Sequence, residues 1–207
     1  DGSVLFESTV DGADGTGDNL TIKVGDTAAN GSLSITTSIG DTTALSSLKI
    51  NDQAGTLALT IPQIGGSGAA GVTGTVDIGT TTTDLIDFNG RYFSMNGALT
   101  VTSKDAEVIK FTGAGATTVK TADDAISFVT GTILTGQNLT INSTGGTIAI
   151  ASVMSSGTDI DLTINADNSD GGSAQTDEKV TIGAIGTANE IGAVTIDAHD
   201  GITLTGD

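Results

Sequence analysis

The chain has 207 residues, of which 25 are acidic and 7 are basic, and its formal net charge is −18. It contains no cysteine, which excludes disulfide frameworks and thiol catalysis. Its few basic residues cannot form the cationic surface that nucleic-acid binding requires, and no segment approaches the roughly 20 apolar residues of a membrane-spanning helix. We therefore expect neither nucleic-acid binding nor membrane insertion.

Short strands are predicted along the whole chain, because triplets with one polar residue between two apolar ones recur from end to end. Such alternation buries one face of a strand and leaves the other face in water. Clusters of Gly, Asn, Asp and Ser separate the triplets and are typical of turns. In chain order, clear triplets begin at Leu20, Leu33, Leu48, Val76, Leu139, Leu162 and Val194. The sequence therefore predicts an all-β protein.

The triplets also recur at nearly constant intervals. One series of apolar-Thr-apolar triplets begins at Leu20, Leu59, Leu99, Leu139 and Val180. A second series of apolar positions, with a slightly larger step, comprises Leu33, Val76, Val119, Leu162 and Ile202. We interpret these intervals as a quasi-repeat of about 40 residues, which would hold two solenoid coils of about 20 residues each.

The fold that these features favour is a parallel β-solenoid (β-helix) that forms a single domain over residues 1–207. A narrow solenoid interior needs few aromatic side chains, and aromatic residues make up 3% of the chain. The Trp-Asp and Gly-His signatures of propeller blades are absent from the sequence. Tandem β-sandwich domains built from short strands are the alternative fold.

Three acidic loops, at residues 11–18, 165–171 and 197–201, are candidate calcium sites. Stacked coils bring acidic side chains close together, and Ca²⁺ binds six to eight oxygen atoms from carboxylates and carbonyls. None of the loops matches an EF-hand, and solvated Asp/Gly turns are the alternative interpretation. The candidate ligands are Asp11, Asp14, Asp18, Asp167, Asp170, Asp197 and Asp200.

Several segments resemble a known group of proteins. They are Phe6-Glu7-Ser8-Thr9-Val10-Asp11-Gly12, Asp18-Asn19-Leu20-Thr21-Ile22 and residues 39–50. Residues 184–205 are a partial second copy of residues 39–59. These segments are similar to the degenerate repeats of filamentous-haemagglutinin-like adhesins and related giant bacterial surface proteins with a β-solenoid fold. The resemblance implies an extracellular or cell-surface location and a structural role in an adhesin stalk, fibre, sheath or surface layer.

Both ends of the chain are predicted to be strands without a capping helix. Terminal coils of a solenoid expose unpaired backbone unless they are capped. We therefore expect the chain to be either an excerpt from a longer array or a subunit that stacks on its neighbour, and an ordinary monomer with frayed ends is the alternative interpretation. The predicted assembly interface comprises Val4, Leu5, Phe6, Ile202, Thr203 and Leu204.

The expected function is that of a structural unit of a bacterial extracellular fibre, sheath or surface layer, assembling head to tail. Its partners would be further copies of itself or adjoining repeats of the same chain. The alternative is a stalk or binding segment of a large secreted adhesin that recognises a host or a polysaccharide. An enzyme is not expected, because the sequence has no nucleophile elbow and no phosphate-binding loop.

Overall fold

The computed structural model describes residues 3–14, 17–24, 32–52, 58–80, 82–104, 108–157, 159–167, 177–186 and 189–206. These residues form strands and no helix, and every pairing between the strands is parallel. The predicted all-β parallel solenoid is thereby confirmed, whereas tandem sandwiches would require antiparallel sheets. In the described ranges, no helix long and apolar enough to cross a membrane is found.

The described residues contain eighteen strands, numbered here in chain order. They are β1 (Ser3–Phe6), β2 (Asn19–Val24), β3 (Ser32–Ile35), β4 (Ser47–Asp52), β5 (Ala58–Ile61), β6 (Val76–Ile78), β7 (Leu85–Phe88), β8 (Tyr92–Ser94), β9 (Leu99–Val101), β10 (Val108–Phe111), β11 (Thr117–Thr121), β12 (Ile126–Thr135), β13 (Leu139–Ser143), β14 (Ile148–Ser155), β15 (Leu162–Asn165), β16 (Lys179–Ile185), β17 (Val194–Asp197) and β18 (Gly201–Leu204).

The strands lie in three rows that surround one core. The first row contains β1, β3, β5, β7, β10 and the second halves of β12, β14 and β16. The second row contains β8, β11, β13, β15 and β17, and single bridges at Ile39 and Ile64 extend it toward the first turn. The third row contains β2, β4, β6, β9, the first halves of β12, β14 and β16, and finally β18.

The strand register shows that the turns differ in length. The shortest turn has the expected length of about 20 residues and brings Thr132 opposite Ser152. The turn that brings Ile148 opposite Val180 is much longer. The predicted repeat does not connect equivalent positions, because Leu20 pairs with Leu48 in the third row, whereas Leu59 lies in the first row. One interval of the predicted repeat therefore spans more than one turn of the solenoid but fewer than two. As a result, Leu20 and Leu59, which begin successive triplets, lie in different rows.

The core consists of inward-facing aliphatic side chains from all three rows, with one aromatic layer near the middle. Phe88 and Phe111 lie opposite each other in the first row and their rings stack with centroids 5.0 Å apart. Phe93 from the second row meets Phe88 edge to face at 4.9 Å. The neighbouring Tyr92 is only partly buried, with the guanidinium carbon of Arg91 5.7 Å from its ring centroid. Phe93 thus belongs to the core, with 1% of its surface exposed.

Candidate metal centre

A cluster of carboxylate and imidazole side chains lies where the second row of strands turns toward the third, in the last two described turns. In the second row, Asn165 of β15 lies opposite Asp197 of β17. In the third row, Lys179 of β16 lies opposite Gly201 of β18. The corner between the two rows is therefore formed by the residues that follow β15 and β17 and by those that precede β16 and β18.

Asp167, Glu178 and His199 converge at this corner. Asp167 lies just after β15, His199 lies just after β17, and Glu178 immediately precedes β16. The side chains each offer one ligand atom, and these three atoms all lie within 4.8 Å of one another. Glu178 is buried with 4% of its surface exposed, Asp167 is half-buried and His199 is exposed. The cluster is thus buried on the side of Glu178 and open to solvent on the side of His199.

Main-chain hydrogen bonds hold the corner in register. The amide of Ala166 donates to the carbonyl of Asp197 over 2.8 Å, and the amide of Asp200 donates to the carbonyl of Glu178 over 2.9 Å. The amide of Asp167 donates to Oδ1 of Asn165 over 2.8 Å. The first two bonds extend the parallel pairing past the strand ends, so neighbouring turns hold the backbone of this corner in place.

Two carboxylates and one imidazole form a mixed oxygen and nitrogen donor set. Carboxylate oxygen and imidazole nitrogen are both ligands of Zn²⁺ and related divalent transition metals. Ca²⁺ instead uses oxygen atoms, and usually six to eight of them. The arrangement can therefore hold a small divalent cation with three protein ligands, and the open side leaves room for water.

Three of the four calcium ligands predicted in the two C-terminal loops are described, and they lie in and around this cluster. Asp167 contributes a donor atom to it, and Asp170 lies outside the described residues. Asp197 is exposed at the end of β17. Oδ2 of Asp200 accepts a hydrogen bond from the amide of Glu178 over 3.2 Å, so this carboxylate closes the turn. Calcium binding by these residues stays a prediction.

The N-terminal acidic loop has a different arrangement. Oδ2 of Asp18 accepts hydrogen bonds from the amides of Ala13 and Asp14 at 2.8 and 3.2 Å, and Oδ1 of Asp11 accepts one from the amide of Thr42 at 3.1 Å. Asp18 therefore stabilises its own loop, whereas Asp11 connects the loop to the neighbouring turn. Within the described ranges, Asp11, Asp14 and Asp18 do not belong to a group of three or more carboxylate or imidazole side chains with converging ligand atoms.

Glu178 and His199 are the two members of the cluster that the sequence analysis did not select. A signal for His199 exists in the sequence: residues 162–167 read Leu-Thr-Ile-Asn-Ala-Asp and residues 194–199 read Val-Thr-Ile-Asp-Ala-His. The two segments align without a gap, and this alignment is the observed register. It places Asp167 and His199 at equivalent positions of neighbouring turns.

The predicted assembly residues lie on the first and last described turns of the solenoid. Ile202 and Leu204 lie opposite the inward-facing Val180 and Ile182, whereas Thr203 lies opposite the outward-facing Thr181. At the other end, Val4 and Phe6 lie opposite the buried Leu33 and Ile35, whereas Leu5 lies opposite the exposed Ser34. Leu5 and Thr203 thus belong to the outer surface and not to the interior of the terminal turns.

Comparisons of this chain with protein-family models, with curated proteins and with solved structures find no match.

Proposed function

We propose that this chain is a structural unit of a bacterial extracellular fibre, sheath or surface layer, in which solenoids stack head to tail. The observation that supports this proposal is the exposure of core-type side chains on the last described turn. Ile202 and Leu204 are 48% and 61% exposed, whereas their partners in the preceding turn, Val180 and Ile182, are both 0% exposed.

The second row ends in the same way as the third. Val194 of β17 is exposed, whereas Leu162, which lies opposite it in β15, is buried. Among the described strands, β17 pairs only with β15 and β18 only with β16, so each has one edge without a strand partner. One further turn placed on this end would supply main-chain hydrogen bonds and would bury Val194, Ile202 and Leu204.

Stacking on this end would contribute both apolar burial and main-chain hydrogen bonds. Full burial of a Val, Leu or Ile side chain contributes about 1.5–3 kcal/mol, and strand addition at an open edge adds main-chain hydrogen bonds. At the first turn, Val4 and Phe6 of the first row are likewise only half-buried, while Leu33 and Ile35 opposite them are buried. Contact between two unlike ends that does not close into a ring generates a filament.

The stalk or binding segment of a large secreted adhesin is the second candidate. In that case adjoining repeats of the same polypeptide would cover Ile202 and Leu204, with a host surface or polysaccharide as partner. The location outside the bacterial cell rests, for both candidates, on the sequence resemblance of residues 6–12, 18–22 and 39–50 to filamentous-haemagglutinin-like repeats.

Sedimentation velocity and negative-stain electron microscopy of the purified chain test the proposal. The chain should form filaments or long oligomers whose fraction rises with concentration. Leu204→Lys should suppress them, because it places a charge on a surface from which stacking would exclude water. Thr203→Lys is the matched control, since it adds the same charge on the outer face, and it should still assemble. A wild-type chain that stays monomeric at every concentration would overturn head-to-tail assembly and favour the adhesin segment.

A further inference from the structure

We propose that Asp167, Glu178 and His199 bind one divalent transition-metal ion of the zinc class, and that this ion fastens the last turn of the solenoid to the turn below it. The inference is independent of self-assembly. It rests on the convergence of three donor atoms within 4.8 Å of one another, from residues that are well separated in the chain.

The donor set favours zinc over calcium. The chain contains one histidine, and that imidazole lies in this cluster. Imidazole nitrogen suits Zn²⁺, Cu²⁺, Ni²⁺ and Co²⁺, whereas Ca²⁺ and Mg²⁺ prefer oxygen alone. Two carboxylates and one imidazole, with water as the fourth ligand, complete a tetrahedral zinc site.

The geometry requires only a small contraction. Ligand atoms about 2.0–2.2 Å from one Zn²⁺ lie roughly 3.3–3.6 Å apart in a tetrahedron, compared with the 4.8 Å limit that contains the three atoms here. His199 is exposed, so its ring can rotate toward the other two side chains without displacing the core. Two hydrogen bonds with Asp200 fix the backbone of the buried Glu178. Its carbonyl accepts from the amide of Asp200, and its amide donates to Oδ2 of Asp200.

Electrostatics favour a cation at this corner. Glu178 is buried, with 4% of its surface exposed. Asp167 brings a second carboxylate into the cluster, and the exposed Asp197 and Asp200 lie at the edge of the same corner. In a chain of net charge −18, a divalent cation lowers the repulsion among these groups.

The two turns joined by this ion are the last ones described. Asp167 follows β15 and Glu178 precedes β16, whereas His199 lies between β17 and β18. A metal bound to all three would tie the exposed β17–β18 corner to the buried turn beneath it. It would therefore stabilise the last turn, whether or not another molecule stacks on that end.

Isothermal titration calorimetry of the metal-free, full-length chain with ZnCl₂ and, separately, with CaCl₂ tests the inference. We expect one zinc site, with His199→Ala lowering its affinity by about 10-fold or more, as loss of even an outer-shell partner can. Glu178→Gln should also weaken binding. Asp197→Asn is the matched control, because it removes a charge from the same corner without removing a donor of the cluster; its affinity should stay within about 3-fold of wild type, as suits an exposed, screened charge.

A second readout separates coordination from loose attraction. His199 is the one histidine, so its ring resonances in the NMR spectrum report this site alone, and they should shift on addition of one equivalent of Zn²⁺. Absence of zinc uptake, or uptake that His199→Ala leaves unchanged, would overturn the inference. Filament formation is measured separately, so a chain that binds zinc but stays monomeric contradicts only the proposed function.

Discussion

Thr135 and Ser155 lie opposite each other in neighbouring turns, and both are buried at the point where their strands end. The hydroxyl of Thr135 donates to the carbonyl of Gln137 over 2.6 Å and accepts from the amide of Gln137 over 3.2 Å. Ser155 makes the same pair of bonds with Gly157, at 2.8 and 3.0 Å. Each hydroxyl thus satisfies two main-chain groups at a corner of the solenoid, where the strand pairing stops.

Removing one of these hydroxyls should destabilise the fold. Thr135→Val keeps the shape of the side chain but leaves the amide and carbonyl of Gln137 without this partner, at a cost of about 1–3 kcal/mol. Urea unfolding followed by circular dichroism measures the change. The control is Thr140→Val in β13, where the same substitution affects a partly exposed residue and should change stability by less than about 0.5 kcal/mol. Equal losses in both variants would contradict this role of Thr135.

Gly40 cannot be replaced without strain. Its φ is +66°, in the left-handed region that disfavours residues with a Cβ, and an added Cβ would collide with the carbonyl oxygen of Gly71 in the next turn. Gly40→Ala should therefore lower the free energy of unfolding by at least about 1–2 kcal/mol. Gly66→Ala is the matched control, since its Cβ would meet open space. A Gly40→Ala chain that unfolds at the same urea concentration as Gly66→Ala would contradict the expected clash.

The aromatic layer should be a major source of stability. Phe111 stacks on Phe88 and contacts Phe93 and Phe128 edge to face at 6.2 Å. Phe111→Ala removes these contacts and leaves a cavity, at a cost of about 3–5 kcal/mol. Tyr92→Ala, on the other side of the second row, removes a partly exposed ring and should cost only about 1 kcal/mol. The two variants are compared by thermal and urea unfolding, and a smaller loss for Phe111→Ala than for Tyr92→Ala would contradict the assignment.

The sequence was sufficient to predict the type of fold because the alternation of buried and exposed residues is local. Leu139, Thr140 and Ile141 show the expected pattern of buried, partly exposed and buried positions. Turn length was not predictable in the same way, because it depends on which triplets pair and on how much chain the corners contain. Leu20 and Leu59 are therefore separated by the regular interval of the predicted repeat, but in the structure Leu20 pairs with Leu48 and not with Leu59.

The candidate metal centre depends on which strands pair across the turns and not on the sequence around each ligand. Asp167 was selected because it lies in an acidic loop, whereas His199, which lies in the third of those loops, was not selected as a ligand. Nothing near Glu178 in the sequence indicates that it is buried, since it follows Asp177 and precedes Lys179. The three residues become one site only when β15 pairs with β17 and β16 pairs with β18.

At a concentration that keeps the chain monomeric, the last described turn should be less protected than the turns beneath it. β13 lies between β11 and β15 and buries Leu139 and Ile141, whereas every residue of β18 is exposed. Main-chain amides of β18 should therefore exchange with deuterium faster than those of β13, because opening this edge breaks few packed contacts. Hydrogen–deuterium exchange with mass spectrometry measures both segments in one experiment. Equal exchange rates in β13 and β18 would contradict an open edge at this end.

Added Zn²⁺ should slow exchange in β17 and β18 of the wild-type chain, since a ligand that binds only the folded corner stabilises it in proportion to its occupancy. The exchange of β13 should stay unchanged, and His199→Ala should abolish the protection of β17 and β18. Uniform slowing along the whole chain, or slowing that persists in His199→Ala, would show that zinc acts elsewhere. Because the comparison is made between segments of one molecule, it separates stabilisation of the last turn from a general effect of the cation on an acidic protein.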